Sequence, residues 1–230
     1  MGLKKLNKVF NSDAMSMYPL PKGFIIIAKK SDIVDKLVVS YKLISFENGT
    51  MSPVTKGVFQ LAKFGNNFKT FEMQVPNYVT CKIASLDNQR LFVVTPDGIA
   101  KVMDHDGYAQ WQGTMKYKGF GPTDIAVQGH TLWAAFTENN ALIRFNLRTM
   151  REELRIGGSN DSAFNKPQGL WINKDANTML VCNTGANSIL EVNLKSYTVY
   201  EYAQFEEPVH QYMKILSNEI VLLDSGIYKL

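Results

Sequence analysis

The chain has 230 residues, of which 45% are hydrophobic, 20% charged and 11% aromatic, the balance of an ordinary globular protein. That balance excludes collagenous and low-complexity classes, and no apolar run approaches the roughly 20 residues that a helix needs to cross a bilayer. The formal charge of +4 is uneven: residues 1–72 carry eleven Lys or Arg against five Asp or Glu, the remainder fourteen against sixteen. An anion-attracting surface is therefore expected in the first third.

In chain order, the N-terminus has the lysines of an export signal (Lys4, Lys5, Lys8), but Asn11, Ser12 and Asp13 stand where its apolar segment should follow. Cys81 and Cys182 each fall inside a strand-like run and read as buried thiols in a reducing compartment. A cytoplasmic location is the resulting expectation.

The sequence repeats itself. Residues 164–194 contain three short apolar runs, Gly169–Ile172, Met179–Cys182 and Ile189–Leu194, separated by turns rich in Asn, Asp and Gly. The preceding unit matches it run for run from Gly121 to Leu147, and a fourth strand follows each, at Glu152–Ile156 and Thr198–Ala203. Four strands per unit describe a propeller blade.

A proline stands two residues before a distinctive position at the start of each unit: Pro21, Pro76, Pro122, Pro167 and Pro208, spaced by 55, 46, 45 and 41 residues. Lacking an N–H and preset in φ, proline suits the entry to a strand. These marks predict one all-β domain over residues 1–230, a propeller of five four-stranded blades starting near 21, 76, 122, 167 and 208. The last unit stops one strand short, with runs at Gln211–Leu216, Glu219–Leu223 and Ile227–Leu230. The N-terminal segment 1–12, with an apolar stretch at Lys4–Phe10, is expected to supply the missing strand and close the ring, hiding free sheet edges.

Phe164, Pro167, Gly169 and the run Asn183-Thr184-Gly185-Ala186-Asn187 before Ile189 resemble an NHL repeat. Pro122-Thr-Asp-Ile-Ala-Val, then Leu132-Trp133 and Asn140-Ala-Leu-Ile143, are similar to blades of the streptogramin lyase type. The likeness covers two blades, about residues 119–204. It implies a propeller whose ligands meet one mouth of the central channel. Such propellers include lyases, lactonases, sensors, RNA-binding domains and scaffolds, so the resemblance points to architecture more than to activity.

On that reading, the third residue of each proline mark forms a ring at the mouth: Gly23, Tyr78, Asp124, Gly169 and His210. A second ring follows the second strands: Tyr41, Thr95, Phe136, Asn183 and Asp224. Tyr78, Asp124, Asn183, His210 and Asp224 are the candidate ligand-binding residues. Histidine with carboxylates suits metal binding or proton shuttling; Asp and Asn at strand ends also bond to their own turns.

A lyase of the streptogramin type would carry a Pro-His-Gly-like mark and a second catalytic His, and this chain holds Pro122-Thr-Asp and Pro167-Gln-Gly there. A regucalcin-type lactonase would add a Glu at a blade start, and none stands there. No nucleotide-binding glycine motif, Cys-x-x-Cys or Gly-x-Ser-x-Gly occurs. The sequence therefore leads to a non-catalytic, monomeric propeller that takes a protein or small-molecule ligand, with no cofactor, no metal and no membrane insertion. A metal-assisted lyase or lactonase using His210, Asp124, Asn183 and Asp224 is the alternative. Nucleic-acid or other polyanion binding is a second alternative, through Lys4, Lys5 and Lys8 or the basic–aromatic stretch of Tyr108, Trp111, Lys116, Tyr117, Lys118 and Phe120. Trp133 and Trp171 are expected in the packed interior.

Overall fold

Short runs of Val, Ile, Leu and aromatic residues, broken every six or so positions by Asn, Asp or Gly, leave the chain little choice but paired strands with tight turns. The computed structural model describes residues 6–11, 14–20, 23–33, 36–47, 50–53, 82–87, 90–104, 108–159 and 162–230, with residues 15, 20, 25 and 27–53 described by backbone alone. In chain order the strands are β1 (Asn7–Phe10), β2 (Ala14–Leu20), β3 (Gly23–Ile33), β4 (Lys36–Glu47), β5 (Thr50–Pro53), β6 (Lys82–Ser85), β7 (Arg90–Val94), β8 (Ile99–Asp104), β9 (Ala109–Thr114) and β10 (Asp124–Gln128). There follow β11 (Thr131–Phe136), β12 (Ala141–Asn146), β13 (Arg151–Gly157), β14 (Pro167–Asn173), β15 (Thr178–Asn183), β16 (Ser188–Asn193), β17 (Val199–Gln204), β18 (Val209–Ile215), β19 (Asn218–Leu223) and β20 (Gly226–Lys229).

These strands pair into four-stranded antiparallel sheets, β2–β5, β6–β9, β10–β13, β14–β17 and a composite β18-β19-β20-β1. The first strands of successive sheets lie side by side, β6 against β10, β10 against β14, β14 against β18 and β18 against β2. This is the arrangement of a β-propeller. The two units with the clearest repeat have the four strands expected of them, within two residues at each end. The N-terminal segment pairs antiparallel with β20, Asn7 opposite Lys229 and Lys8 opposite Tyr228, so both termini contribute to one sheet.

The first unit departs from expectation. Pro21 itself lies outside the described residues, and the run after it, Phe24–Ile27, belongs to β3, the second strand of its sheet. The first strand is β2, a seven-residue strand that the proline mark concealed. Tyr41, expected just after a second strand, consequently lies within β4, opposite Ile27. The second mark, Pro76-Asn77-Tyr78, lies outside the described residues.

Among the described residues, side chains between neighbouring sheets form four apolar clusters. One joins Phe92 and Val102 to Leu132, Phe136 and Ile143; the next joins Trp133 and Leu142 to Phe164, Met179 and Val192. A third joins Cys182 and Ile189 to Tyr212 and Val221, and a fourth joins Met213, Ile220 and Ile227 to Met17, Phe24 and Ile26. Each of these four seams is thus a small hydrophobic core, and removing water from it is the main force holding those sheets together.

A repeated polar link supplements these cores. Thr137 and Thr184 open the 3-10 turns that follow β11 and β15, and both are buried. Thr137 Oγ1 donates to the carbonyl of Pro167 at 2.6 Å, and Thr184 Oγ1 donates to the carbonyl of Val209 at 2.7 Å. In both cases the acceptor is the first residue of the next sheet's first strand. The two turns end on Asn140 and Asn187, both left-handed, a conformation that Asn tolerates better than most residues.

Candidate functional site

The first strands β2, β6, β10, β14 and β18 together wall a central cavity of about 440 Å³. Its walls are apolar in the main, with Ile83, Ile125, Leu170, Ile172 and Met213, and it has an aromatic side made by Tyr18, Trp171 and Tyr212. Trp171 and Tyr212 meet edge to face, with ring centroids 6.4 Å apart. Burial, and next the charge of Glu219, push the Tyr212 phenol up, so it stays protonated and acts as part of the wall. The polar groups are few: Lys82, Asp124, Gln211 and Lys174.

A smaller pocket of about 120 Å³ adjoins it, lined by Thr123, Gln168, Gly169 and His210 together with Lys82, Asp124 and Gln211. The last three residues line both spaces, so they mark the junction between an apolar chamber and a polar mouth.

Asp124 opens β10, and its Oδ2 accepts the backbone N–H of Leu170, the residue that faces the cavity from β14, at 2.8 Å. Burial pushes this carboxyl above its ordinary value of 3.8, against the opposing pull of the nearby Lys82 ammonium. Gln211 lies across the channel on β18. Its Oε1 accepts the Met17 backbone N–H at 2.7 Å and the Ser16 hydroxyl at 3.3 Å, tying β18 to β2. Because a backbone N–H can only donate, this contact fixes the amide orientation and leaves Gln211 Nε2 as an unspent donor.

Of the residues expected at the mouth, Asp124 and His210 line the channel, and Asp224 meets His210. His210 Nε2 lies 2.6 Å from Asp224 Oδ1 and Nδ1 lies 2.9 Å from Gln168 Oε1. The Asp224 side chain is 58% exposed, outside the pocket. Asn183 is not part of the group: it is buried, its Oδ1 accepts the Asn165 N–H at 2.6 Å, and its Nδ2 reaches the Ala163 carbonyl. It holds its own turn, as Asn at a strand end often does. Tyr78 lies outside the described residues. Among the described residues, no three His, Cys, Asp or Glu side chains gather closely enough to hold a metal ion.

Among the cavity residues that escaped the sequence reading are Lys82, Gln211, Tyr212 and Trp171. Trp133 is packed inside, 2% exposed, but Trp171 is half-buried with one side on the cavity. For Trp171, Gln211 and Tyr212 the cause is register. The pairing of β14 with β15 shifts between Pro167 and Leu170, and that of β18 with β19 shifts between Val209 and Gln211. An irregularity of this kind adds one residue and reverses which side chains face inward beyond it. Counting from the proline therefore reaches His210 at the rim and misses Gln211 within. The one sequence signal was the apolar pattern of β14 itself, where Leu170 and Trp171 stand together.

The basic–aromatic stretch is spent on packing in part, through Trp111 and Tyr117, while Tyr108, Lys116, Lys118 and Phe120 are exposed. Trp111 stacks on Phe92, and Arg155 lies 4.3 Å over the Tyr117 ring. Tyr108 and Phe120 are exposed, at 72% and 51%. Lys8 lies over the Tyr228 ring, and Lys4, Lys5 and His105 lie outside the described residues. Cys182 is a buried free thiol, and burial followed by the charge of Asp124 pushes it well above its usual value; Cys81 lies outside the described residues. No described helix is long and apolar enough to cross a membrane.

No family model matches the chain, and no curated protein matches it in sequence. Solved structures do. Virginiamycin B lyase from Staphylococcus aureus superposes with a TM-score of 0.54 at 12% identity, over 98% of this chain and 88% of that one. The WD40 β-propeller domain of Doa1 superposes with a TM-score of 0.54 at 8% identity, over 94% of this chain and 62% of that one. At such identities the likeness concerns fold, and at that level it agrees with the NHL-like and lyase-type resemblance of the blades: the chain is a β-propeller.

Proposed function

We propose that residues 1–230 form one propeller domain that binds a small molecule in its central channel without catalysing a reaction. The observation that carries this reading is the cavity of about 440 Å³, apolar and aromatic along its walls and polar only at one junction. Small-molecule sites have that size and that division between body and orienting groups, roughly 300–1,000 Å³ with a few placed polar atoms. The engagement of His210 supports binding over proton transfer. A general base needs a nitrogen aimed at the substrate, whereas one ring nitrogen is committed to Asp224 and the other to Gln168. Asp124, His210 and Asp224 then serve the rim, Asp124 beside the ligand and Asp224 by holding His210.

In the same reading the sheets form a closed ring of five blades, β2–β5 standing between the composite blade and β6–β9. Support comes from β18 against β2 and from Met17, Tyr18, Lys82 and Ile83 lining one cavity.

The test is a fragment screen by NMR on the wild-type protein and on two cavity-filling variants, Ala126→Trp and Val127→Trp. Fragments that bind the wild type at one saturable site, shift the Trp171 indole resonance and lose binding in both variants support the reading. Equal binding by wild type and filled variants, or no binding at all, contradicts it.

A further inference from the structure

Which ligand chemistry the channel selects follows from what its junction leaves unpaired. Among the described residues Lys82 has no hydrogen-bond or ion-pair partner, Asp124 being its electrostatic neighbour. Gln211 spends its oxygen on β2 and keeps two N–H donors. Asp124 spends Oδ2 on Leu170, and burial pushes its carboxyl above the ordinary value against the pull of Lys82. Of the cavity's other polar side chains, Lys174 is an exposed cation. The junction thus presents donors and positive charge, while the chamber beside it is walled by Ile125, Leu170, Trp171 and Met213.

From the lining of both spaces we infer that the channel takes an amphipathic organic anion, a monocarboxylate with an aromatic or branched aliphatic body. Its carboxylate meets Lys82 and Gln211 at the junction, and its body lies against Trp171 and Tyr212. An acceptor-only head satisfies every donor there, and it is held more strongly than a neutral head because the bonds are charge-assisted. An ammonium head of the same length would face the Lys82 ammonium and an unspent amide N–H, with the Asp124 carboxyl, one oxygen of which is spent on Leu170, as the acceptor left to it.

This inference rests on the channel being a ligand site, and the experiment separates the two. Isothermal titration compares 4-phenylbutyrate, 4-phenylbutanamide and 4-phenylbutylamine, which share a body and differ in the head. Trp171 fluorescence serves as the second readout. The expected order is carboxylate tightest, amide about tenfold weaker, amine weakest. Lys82→Met should weaken the carboxylate about tenfold and leave the amide nearly unchanged, and Lys82→Arg should restore it. Gln211→Glu, which keeps the acceptor for Met17 and adds negative charge, should weaken the carboxylate further. If the amine binds as well as the carboxylate, or Lys82→Met leaves carboxylate affinity intact, the anion inference fails while the channel reading stands. If none of the three binds, both fail. Should Lys82→Met not fold, the order of the three heads on the wild-type protein decides.

Discussion

At the scale of the residue, Asp124 joins fold and site. Its carboxylate oxygen caps a backbone N–H of the neighbouring sheet, and its surroundings raise its pKa. The folded protein therefore holds this proton more tightly than the unfolded chain does. The associated stability is fully present below the ordinary value of 3.8 and is lost as pH rises through the raised folded value. Asp124→Asn keeps an acceptor for Leu170 and removes the titration. Its stability relative to wild type should rise with pH from about 3.8 upward, a trend that thermal melts at a series of pH values would read; a pH-independent difference would contradict it. Thr184 offers a second residue-level test. Thr184→Val keeps the shape and strands the buried Val209 carbonyl, so urea unfolding should show a loss of about 1–3 kcal/mol. No loss would mean that the link between sheets carries no weight.

Element by element, the hairpins show where the sequence was legible and where it was not. Gln128-Gly129-His130-Thr131 reads as a tight turn, and Gln128 indeed pairs with Thr131 around it. Gly129, the first turn residue, has φ of 60°, which glycine adopts freely. In the composite sheet, Ile215 pairs with Asn218, and the corresponding turn residue is Leu216 at φ 55°. Nothing in the local sequence announces that turn, because a leucine there works against the backbone. Leu216 is 63% exposed and gives up little packing when removed. Leu216→Gly should therefore raise stability by about 1 kcal/mol, measured as a higher urea midpoint; a lower midpoint would show that its side chain packs in solution. Strand placement in the two repeat-rich units was legible because apolar runs alternate there with turns rich in Asn, Asp and Gly. The inward-facing set was not, since the shifts before Leu170 and Gln211 leave no mark in composition and the first unit hides its first strand behind Pro21.

At the scale of the whole molecule, the two ends of the chain meet. Val9 and Phe10 of β1 pack against the cluster that includes Ile220 and Ile227, and Gly226 allows the Phe10 carbonyl a close approach that a side chain would block. A chain lacking residues 1–11 should lose about 2–4 kcal/mol, the burial of roughly two apolar side chains, and gain a tendency to associate through the bared edge of β20. Urea unfolding and sedimentation read both; an unchanged midpoint and a monomer would mean that β1 is dispensable. Lys82, which lies outside the basic first third, carries positive charge into the channel itself. Crystals soaked with 4-phenylbutyrate would show whether the first strands wall a selective small-molecule site. Difference density is expected inside the cavity, with its carboxylate within hydrogen-bond reach of Lys82 Nζ and Gln211 Nε2 and its ring against Trp171. Density confined to the outer surface, or a channel closed by side chains, would contradict that expectation.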